Sequence, residues 1–410
     1  MPKRLVYLDN AATTPVRPEV LEAMLPYLGR DAFGNPSSAH RFGRAARAGI
    51  EEAKRTIADV LGGGAEPGQV VFTSGGTEAD NLAVIGSALA ARDRGGPFRV
   101  AVSAIEHKAV LAAAHAVVHL GGEEIILPVD GAGVVSVDAL EEALQRGGGV
   151  GGVGGVGGVA VVCVMWVNNE VGTVQPVEQL AARCREAGVP FHVDAVQAFG
   201  KIPVSLRDVP CTLLTLSGHK IGAPKGIGAL IVRDRHVVEA IIHGGGQQFG
   251  IRPGTENVPG IVALGKAVEL AAREQVEFAA RVAALRDDLE RRLLAVVPDA
   301  VINGAPGPRP PPRPRAPHVS NVSIPGTDSE ALLMHLDLAG IACSSGSACS
   351  TGAVEPSHVL TAMGVPRELG VAALRFSFGK ENTGEDVEAV IDAIPKVVEK
   401  VRHLSAVLHR

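Results

Sequence analysis

The regular alternation of strand-length apolar runs with helical segments between about residues 69 and 232 is the strongest constraint on the fold. Apolar runs of strand length occur at 69–73, 99–103, 125–129, 159–167, 190–194, 212–216 and 228–232. Several of the intervening stretches place apolar residues at helical spacing. This alternation is typical of βαβ units, which build a mostly parallel sheet. The predicted fold class is therefore α/β, with a mostly parallel sheet covered by helices on both faces.

A second, smaller unit is predicted where this alternation ends. A long helical stretch runs from about residue 258 to 296. It is followed by further strand and helix patterns at 319–324, 329–338, 374–378 and from 385 onward. These elements fit a smaller α+β C-terminal domain, and 410 residues are enough for two domains. We expect a large domain at 16–260 and a small domain made of 1–15 and 261–410.

Two low-complexity tracts interrupt these elements. Residues 147–158 repeat Gly-Gly-Val without proline, which predicts a flexible surface insertion rather than collagen. Residues 305–317 are rich in proline and arginine and predict a stiff, extended loop. Neither tract contributes a residue to the predicted site.

Composition and charge exclude several classes of function. The net charge is −5 and only 3% of residues are aromatic, which argues against nucleic-acid binding. The five cysteines have no zinc-type spacing and no disulfide framework, so we expect no metal site and a reducing compartment. The first fifteen residues lack an apolar signal-peptide region, and no apolar run is long enough to span a bilayer. We therefore expect a cytoplasmic protein that binds neither nucleic acid nor membranes.

The stretch Ser217-Gly218-His219-Lys220 follows an apolar run and precedes a loop rich in glycine and proline. This pattern predicts a buried strand that delivers Lys220 to the end of the sheet, where α/β proteins bind their ligands. A lysine in a desolvated pocket loses its proton easily and can form a Schiff base. Lys225 is a rival for this role, but it follows a proline and fits a surface loop better.

A phosphate site is predicted at Ser74-Gly75-Gly76-Thr77, between a short strand and a helix. Glycines at such a turn leave backbone N–H groups free, and the helix dipole favours an anion. The alternative is an ordinary helix start with Thr77 as its N-cap. The stretch lacks the lysine of a P-loop and the spacing of a dinucleotide fingerprint.

Several polar residues follow predicted strands at one edge of the sheet: Thr77, His107, Asn169, Asp194, Gln197 and Lys220. Taken singly, Asp194 also fits a helix cap, His107 a surface histidine and Asn169 a plain strand end. Pyridoxal phosphate (PLP) needs a lysine for its aldehyde, a carboxylate for its ring nitrogen, donors for its phosphate and a flat group over its ring. The candidates, in the same order, are Lys220, Asp194, Thr77 with Ser217 and His219, and His107.

A second reactive centre is predicted in the small, hydroxyl-rich stretch at 341–352. Cys349 stands among serines and glycines there, which suits an exposed, reactive thiolate. Cys163, Cys211 and Cys343 follow or lie in apolar runs and fit inert packing better. From the residues alone, Cys349 is only slightly favoured over an ordinary surface cysteine.

Together these motifs resemble the cysteine desulfurases of the class V, fold-type I aminotransferase superfamily, the NifS/IscS-like group. The likeness covers nearly the whole chain, and the combination of Ser-Gly-His-Lys with Ser-Ser-Gly-Ser-Ala-Cys is highly specific. The matching stretches are 7–15, 74–81, 106–108, 167–172, 192–197, 217–220, 252–257, 344–349 and 375–379. The resemblance implies the PLP-dependent transferase fold of type I.

The resemblance also implies roles for the residues around the cofactor ring. Lys220 would form the Schiff base with PLP and later move the Cα proton. Asp194 would pair with the ring nitrogen, and His107 would stack on the ring and assist proton transfer. Asn169 and Gln197 would bond to the ring's phenolic oxygen side.

Further roles implied by the resemblance concern the phosphate and the substrate. Gly76, Thr77, Ser217 and His219 would hold the phosphate, together with Thr255 from a second subunit. Asn35, Asn169 and Arg375 would bind the substrate, with Arg375 clamping its carboxylate. Cys349 would accept the sulfur.

The implied activity is conversion of L-cysteine to L-alanine with transfer of sulfur to Cys349 as a persulfide. The implied partners are a second copy of the chain and a sulfur-acceptor protein, such as an iron–sulfur scaffold or a tRNA-thiolation protein. A selenocysteine lyase or another class V PLP transaminase is the alternative activity. A catalytically silent scaffold in a sulfur-carrier assembly is the alternative of a different class.

Overall fold

The computed structural model describes residues 5–145, 158–304, 314–346, 349–350 and 353–408. For residues 349, 350, 353, 354 and 405–408 it describes the backbone only. The predicted flexible insertion at 147–158 lies almost wholly outside these ranges, and so does most of the predicted stiff loop at 305–317. Both predictions stay untested.

The secondary structure alternates between strands and helices through the first half of the chain. The strands are β1 (Val6–Tyr7), β2 (Val70–Thr73), β3 (Arg99–Ser103), β4 (Glu123–Leu127), β5 (Val161–Cys163), β6 (Phe191–Asp194), β7 (Leu213–Ser217), β8 (Gly228–Val232), β9 (Val301–Asn303), β10 (Val319–Ser323), β11 (Ile341–Ala342), β12 (Cys349–Ser350), β13 (Ala353–Val354) and β14 (Ala373–Ser377). The α-helices are α1 (Pro18–Leu28), α2 (Arg41–Leu61), α3 (Gly76–Asp93), α4 (Lys108–His119), α5 (Val137–Gln145), α6 (Val177–Glu186), α7 (Val258–Val296), α8 (Ser329–Leu338), α9 (His358–Ala362), α10 (Arg367–Gly370) and α11 (Gly384–Leu408). Short 3₁₀ turns occupy Pro67–Gln69, Gly218–Lys220, Arg235–Val237 and Gln247–Gly250.

The central sheet has seven strands in the order β2-β8-β7-β6-β5-β3-β4. Strands β3 to β7 pair in parallel, whereas β8 runs antiparallel to both of its neighbours, β2 and β7. Because parallel strands end at the same edge, the sheet brings the residues that follow β3, β5, β6 and β7 together. The predicted α/β class with a mostly parallel sheet is confirmed.

Strand β5 is shorter than the apolar run at 159–167 predicted. The run is buried throughout, and beyond Cys163 the N–H groups of Val164 and Trp166 still donate to carbonyls of β6 at 3.1 and 2.9 Å. Pairing with β3 ends at Cys163, and the N–H of Met165 donates to the buried carboxyl of Glu106 at 2.7 Å instead of to β3. A buried backbone donor needs a partner, and here a side chain supplies it in place of a strand.

Helix α7 contributes to two separate hydrophobic cores. Its first half, with Val258, Leu264 and Val268, packs into the core that covers the central sheet. Its second half, with Leu289 and Leu293, packs into a separate core. That second core is formed with the antiparallel sheet β14-β10-β9 and with helices α8 and α11. The helix is therefore continuous across the predicted boundary at residue 260, and the exact domain limits stay a prediction.

The N-terminal segment reaches from the small sheet to the end of β7. Strand β1 pairs in parallel with β11, and Val6 and Leu8 are buried in the second core. The N–H of Ala11 then donates to Ser377 Oγ at 2.9 Å, and the N–H of Thr14 donates to the His219 carbonyl at 2.9 Å. The segment thereby ties the antiparallel sheet β14-β10-β9, called the small sheet below, to the turn that carries Lys220.

Among the described helices, none combines the length and apolar content needed to cross a bilayer.

An ion pair fixes the end of this segment to α7. Arg17 Nη1 and Nη2 donate to the two carboxylate oxygens of Glu274 at 2.9 Å each, and Lys380 lies 3.0 Å from the same carboxylate. The Arg17 hydrogen bonds are the largest cause that lowers the pKa of Glu274 to about 2. A carboxyl whose pKa falls on folding adds stability above its ordinary pKa near 4.5, and loses it as the pH drops towards 2.

We therefore expect Glu274→Gln to lower the free energy of unfolding by about 1 kcal/mol at pH 7, a value reduced for partial exposure. The difference from the wild type should shrink as the pH falls below about 4.5. Urea unfolding at pH 7, 4 and 3 measures it, with the exposed Glu277→Gln on the same helix as control. A constant difference across that pH range would contradict the assignment.

Candidate active site

Lys220 lies at the end of the 3₁₀ turn that directly follows β7. Its Nζ donates to the carbonyls of Ala11 and Ala12 at 2.6 and 2.7 Å, so the N-terminal segment holds the amine in place. Burial is the main reason why the pKa of Lys220 falls to about 8, and the charge of Arg375 lowers it further. Its rival Lys225 is exposed to solvent. Of the two lysines, only Lys220 is therefore a partly buried amine with a lowered pKa, the kind that Schiff-base chemistry needs.

His219 is a neutral side chain beside this amine. Its Nδ1 lies 3.1 Å from Thr13 Oγ1, while its carbonyl accepts from the N–H and the hydroxyl of Thr14, both at 2.9 Å. Burial and the neighbouring lysine charges lower the pKa of His219 to about 4. A neutral imidazole at pH 7 can donate a hydrogen bond to an anion without adding a charge.

The N-terminus of α3 meets the end of β7. The helix begins at Gly76 after Gly75, and no side chain caps it, so Thr77 is a first-turn residue and not the N-cap. A Cβ on Gly76 would lie 3.4 Å from Ser217 Cβ and 3.3 Å from Val196 Cγ2. The uncapped first turn of α3 therefore lies close to Ser217. A helix start with free N–H groups is suited to bind an anion.

Asp194 and His107 occupy the neighbouring strand ends. Asp194 is the last residue of β6, is only 5% exposed, and accepts from the N–H of Val196 at 2.8 Å. Its burial raises its pKa, while the charges of His107 and Lys220 lower it. His107 is the N-cap of α4, and its Nδ1 accepts from the N–H of Ala109 at 3.1 Å. Its side chain is exposed to solvent, yet the protein that surrounds it partly desolvates the imidazole, and this desolvation is the main reason why its pKa is lowered.

Gln197 and Asn169 are fixed by contacts with other predicted site residues or with the N-terminal segment. Gln197 is buried, donates to the carbonyl of Ala11 at 2.8 Å, and lies 3.2 Å from His318 Nε2. Ala11 is therefore a common acceptor for Gln197 and Lys220. The carbonyl of Asn169 accepts from Arg375 Nη1 at 3.1 Å.

Arg375 enters the site from the small sheet, in the middle of β14. It is 6% exposed, and its Nη2 donates to Asp9 Oδ1 at 2.7 Å. Its buried Nε has no hydrogen-bond partner within the described part of the chain. A buried guanidinium with an unsatisfied donor is suited to a further anionic group, such as a carboxylate.

Two predicted site residues lie apart from this cluster. Asn35 is exposed in the loop before α2, where its side chain accepts from the N–H of Ser37 at 2.9 Å. Thr255 is also exposed, in a segment that Arg252 ties to Glu78 of α3 at 2.7 Å. Among the described residues, neither has a hydrogen bond to the Lys220 cluster.

The backbone of Cys349 lies in β12, which pairs with β13 in a small hairpin. Just before this hairpin, the backbone of Ser344 pairs with that of Arg375. The other cysteines differ from a reactive thiol: Cys163, Cys184 and Cys211 are buried. Burial raises the pKa of Cys211 and of Cys343 to about 12. Elevated pKa values keep these thiols protonated and unreactive.

Comparison with known proteins places this geometry in a family. The profile of the family described as Aminotransferase class-V matches residues 6–390. The chain is 42% identical over 403 residues to "Cysteine desulfurase IscS" of Dictyoglomus turgidum, across 98% of this chain and 97% of that protein. The chain belongs to the cysteine desulfurases of the class-V aminotransferase family. The predicted family is thereby confirmed.

Solved structures agree with this desulfurase assignment. A "NIFS-LIKE PROTEIN" superposes with a TM-score of 0.84 at 34% identity, across 97% of this chain and 100% of that one. A structure titled "SspA in complex with cysteine" superposes with a TM-score of 0.74 at 34% identity, across 91% of this chain and 98% of that one. The fold of the desulfurase chain is therefore the NifS-like fold.

The sequence reasoning missed several residues that hold the site of this desulfurase together. Asp9 pairs with Arg375, Thr13 contacts His219, and the carbonyls of Ala11 and Ala12 hold Lys220. All four fall in the motif at 7–15, which the resemblance included without giving it a role. The polar residues of this stretch, just before the first helix, were the sequence signal that could have identified them.

Proposed function

We propose that this chain is a PLP-dependent cysteine desulfurase that converts L-cysteine to L-alanine and takes the released sulfur onto Cys349 as a persulfide. One observation carries the proposal. The partly buried Lys220 amine, with a pKa lowered to about 8, lies among the charges of Arg375, Asp194 and Asp9. An amine of that kind can act as a nucleophile and then as a base near neutral pH.

The residues present fit PLP. The uncapped start of α3 offers backbone N–H groups for its phosphate, with Thr77 in its first turn, Ser217 next to Gly76 and His219 on the turn after β7. Asp194 is a buried carboxyl whose pKa is raised by burial, so a protonated ring nitrogen would be a favourable partner. The exposed imidazole of His107 is suited to cover the ring. When bound, PLP supplies the electron sink for the bonds at the substrate Cα.

The chain's own residues then bind the substrate and move its proton. Arg375, with its unsatisfied buried Nε, would bind the substrate carboxylate. Asn169, fixed through its carbonyl by Arg375, would orient the same substrate, and Asn35 would contribute from its loop. Lys220, neutral above about pH 8, would take the Cα proton.

Cys349 would complete the reaction as a thiolate. Its Sγ attacks the substrate sulfur, an S–S bond forms, and the C–S bond breaks with its electron pair staying on the carbon skeleton. That carbon takes up a proton, the product is L-alanine, and Cys349 carries the persulfide. The pairing of Ser344, five positions earlier in sequence, with Arg375 supports this role, because it ties the start of this stretch to the proposed substrate carboxylate site.

We extend the proposal to partners and location. Thr255 is exposed and apart from the Lys220 cluster of its own chain, which favours a homodimer in which it reaches the phosphate of the second copy. The persulfide would pass to a sulfur-acceptor protein such as an iron–sulfur scaffold or a tRNA-thiolation protein. The cysteines described as free thiols fit a reducing cytoplasm.

The test is anaerobic incubation of the holoenzyme with L-cysteine and a reducing thiol, with alanine and sulfide quantified together. The wild type should produce the two in equal amounts. Cys349→Ala should lose at least about 10²-fold in sulfide release while keeping the absorbance of bound PLP, because only the sulfur acceptor is removed. Cys343→Ala, which removes a protonated and partly buried thiol, is the matched control and should keep its activity.

Each outcome separates the candidate functions. Full sulfide release by Cys349→Ala would reject the persulfide role. Transfer of the amino group to a keto acid in place of sulfide release would indicate a transaminase, and activity restricted to selenocysteine would indicate a lyase. Purified protein that fails to bind PLP would indicate the silent scaffold.

A further inference from the structure

Glu170 is a buried acid next to the site that has no role in the reaction proposed above. It is 6% exposed and directly follows Asn169. Two backbone contacts fix its position: its N–H donates to Asn168 Oδ1 at 2.9 Å, and its carbonyl accepts from Asn321 Nδ2 at 3.2 Å. Asn168 in turn donates to the carbonyl of Ile105 at 2.9 Å. The carboxyl of Glu170 is therefore held on a rigid support.

The stretch that carries Cys349 meets this carboxyl at its beginning. The backbone of Ser344 pairs with Arg375 through two hydrogen bonds of 3.1 and 2.6 Å. Two residues later, a Cβ on Gly346 would lie 2.0 Å from Glu170 Oε2 and 2.9 Å from its Cδ. Real Cβ atoms do not approach other atoms so closely, so a larger residue at position 346 would displace the Glu170 carboxyl.

The same stretch meets the same carboxyl again at its end. Ser357 Oγ donates to Glu170 Oε2 while also accepting from the N–H of Val359 at 3.0 Å as the N-cap of α9. The next residue, His358, places its Nε2 2.9 Å from the carbonyl of Glu106. Eleven positions separate Gly346 from Ser357, yet both contact one carboxyl oxygen.

Burial alone does not account for this arrangement. An isolated buried carboxyl is costly, and burial is the main reason why the pKa of Glu170 is raised. The hydrogen bond from Ser357 and the charges of His358, Arg375 and Lys108 oppose that rise. Replacing buried charged groups by apolar groups is often neutral or favourable for stability, so stability alone gives no reason for an acid at this position. Its contacts with both ends of one stretch give it a specific use.

We propose that Glu170 is a positioning residue that joins the two ends of the 344–357 stretch and so sets where Cys349 stands relative to Lys220. The inference rests on the proposed function, because the proposed reaction supplies the sulfur that Cys349 would accept. Glu170 itself touches neither the substrate nor the sulfur. Its effect should appear in the sulfur-transfer step and leave PLP and substrate binding unchanged.

The experiment compares four variants of the holoenzyme: Glu170→Ala, Glu170→Gln, Ser357→Ala and the control Glu355→Ala. Glu355 is an exposed residue of the same stretch, 3.6 Å from Arg367. Single-turnover formation of the Cys349 persulfide is followed by mass spectrometry, and L-cysteine binding by the change in PLP absorbance. Hydrogen exchange of the peptides that contain Ser344 and Val359 measures the anchoring without reference to activity.

Glu170→Ala and Ser357→Ala should each slow persulfide formation about tenfold, the effect of losing one hydrogen bond to a charged group, with substrate affinity unchanged. Combining them should slow persulfide formation little more than Glu170→Ala alone, because Glu170→Ala already removes the hydrogen bond from Ser357. Exchange near Ser344 and Val359 should rise about tenfold in Glu170→Ala, the variant that leaves the Ser357 cap of α9 in place. Glu170→Gln should recover most of the rate because it keeps an acceptor of the same shape, and Glu355→Ala should match the wild type.

Three results would overturn the inference. Unchanged exchange in Glu170→Ala would show that the carboxyl does not join the two ends. Equal loss of substrate affinity and rate would assign Glu170 a merely structural role, and additive effects of Glu170→Ala and Ser357→Ala would separate their functions. A wild type that never forms a Cys349 persulfide would reject the proposed function instead, while faster exchange in Glu170→Ala would still support the anchoring.

Discussion

Lys220→Arg is expected to lower L-cysteine turnover by at least about 10⁴-fold, the full contribution of a catalytic base and nucleophile. Arginine keeps the positive charge of Lys220, and its guanidinium can donate to the same Ala11 and Ala12 carbonyls. It stays protonated at every pH that the protein tolerates, so it can neither attack an aldehyde nor accept the Cα proton. The variant therefore separates the chemistry of the amine from its charge.

Three measurements check this expectation. Turnover is followed by alanine production, borohydride reduction followed by mass spectrometry locates the residue that carries PLP, and circular dichroism confirms the fold. Lys225→Arg is the matched control, because Lys225 is an exposed lysine of the same loop. If Lys220→Arg kept the wild-type rate, or if reduction fixed PLP to Lys225, the site built around Lys220 would be wrong.

The order of the elements could be predicted from the sequence because apolar periodicity reflects burial directly. Strands β3 and β8 and helices α7 and α8 begin and end at the predicted residues. The point where β5 stops pairing with β3 could not be predicted, because the N–H of Met165 there donates to the Glu106 carboxyl, 59 positions away in sequence. Local patterns carry no information about such a partner.

The residues of the candidate site also fall into two groups, those that local sequence patterns could predict and those that they could not. Lys220, Asp194 and Ser217 could be predicted as neighbours, since each ends or follows a strand of one parallel sheet. Arg375 could be assigned only through resemblance, because it comes from a different sheet. Its pairing with Asp9 joins positions 366 apart in sequence, and no periodicity reveals such a contact.

Glu170 illustrates what resemblance alone leaves out. It lies inside a matching motif, next to Asn169, but no single motif shows that Gly346 and Ser357 meet at its carboxyl. The glycine at 346 has a physical reason only once the Glu170 oxygen is placed beside it. The position of one motif against another, which only the structure gives, is therefore needed to assign a role to Glu170.

Asp194→Asn is expected to lower turnover about 10³-fold, as is usual when one preorganised charge is removed from a buried site. Asparagine has nearly the same shape and can still accept from the N–H of Val196, so the end of β6 should keep its geometry. It cannot carry the negative charge that would keep the PLP ring nitrogen protonated. The loss should therefore fall on the proton-transfer step.

Asp80→Asn is the matched control for this variant. Asp80 is also a buried acid close enough to Asp194 for their charges to interact, and burial raises its pKa well above the ordinary value. The charges of His107 and Lys220 favour ionised Asp194, whereas the charges near Asp80 belong to acids and favour its neutral form. Asparagine therefore removes less charge at Asp80, and turnover should stay within about tenfold of the wild type. The rate of exchange of the L-cysteine Cα proton with deuterium measures the affected step in both variants. A similar rate in Asp194→Asn and Asp80→Asn would show that the charge at the end of β6 does not support the reaction.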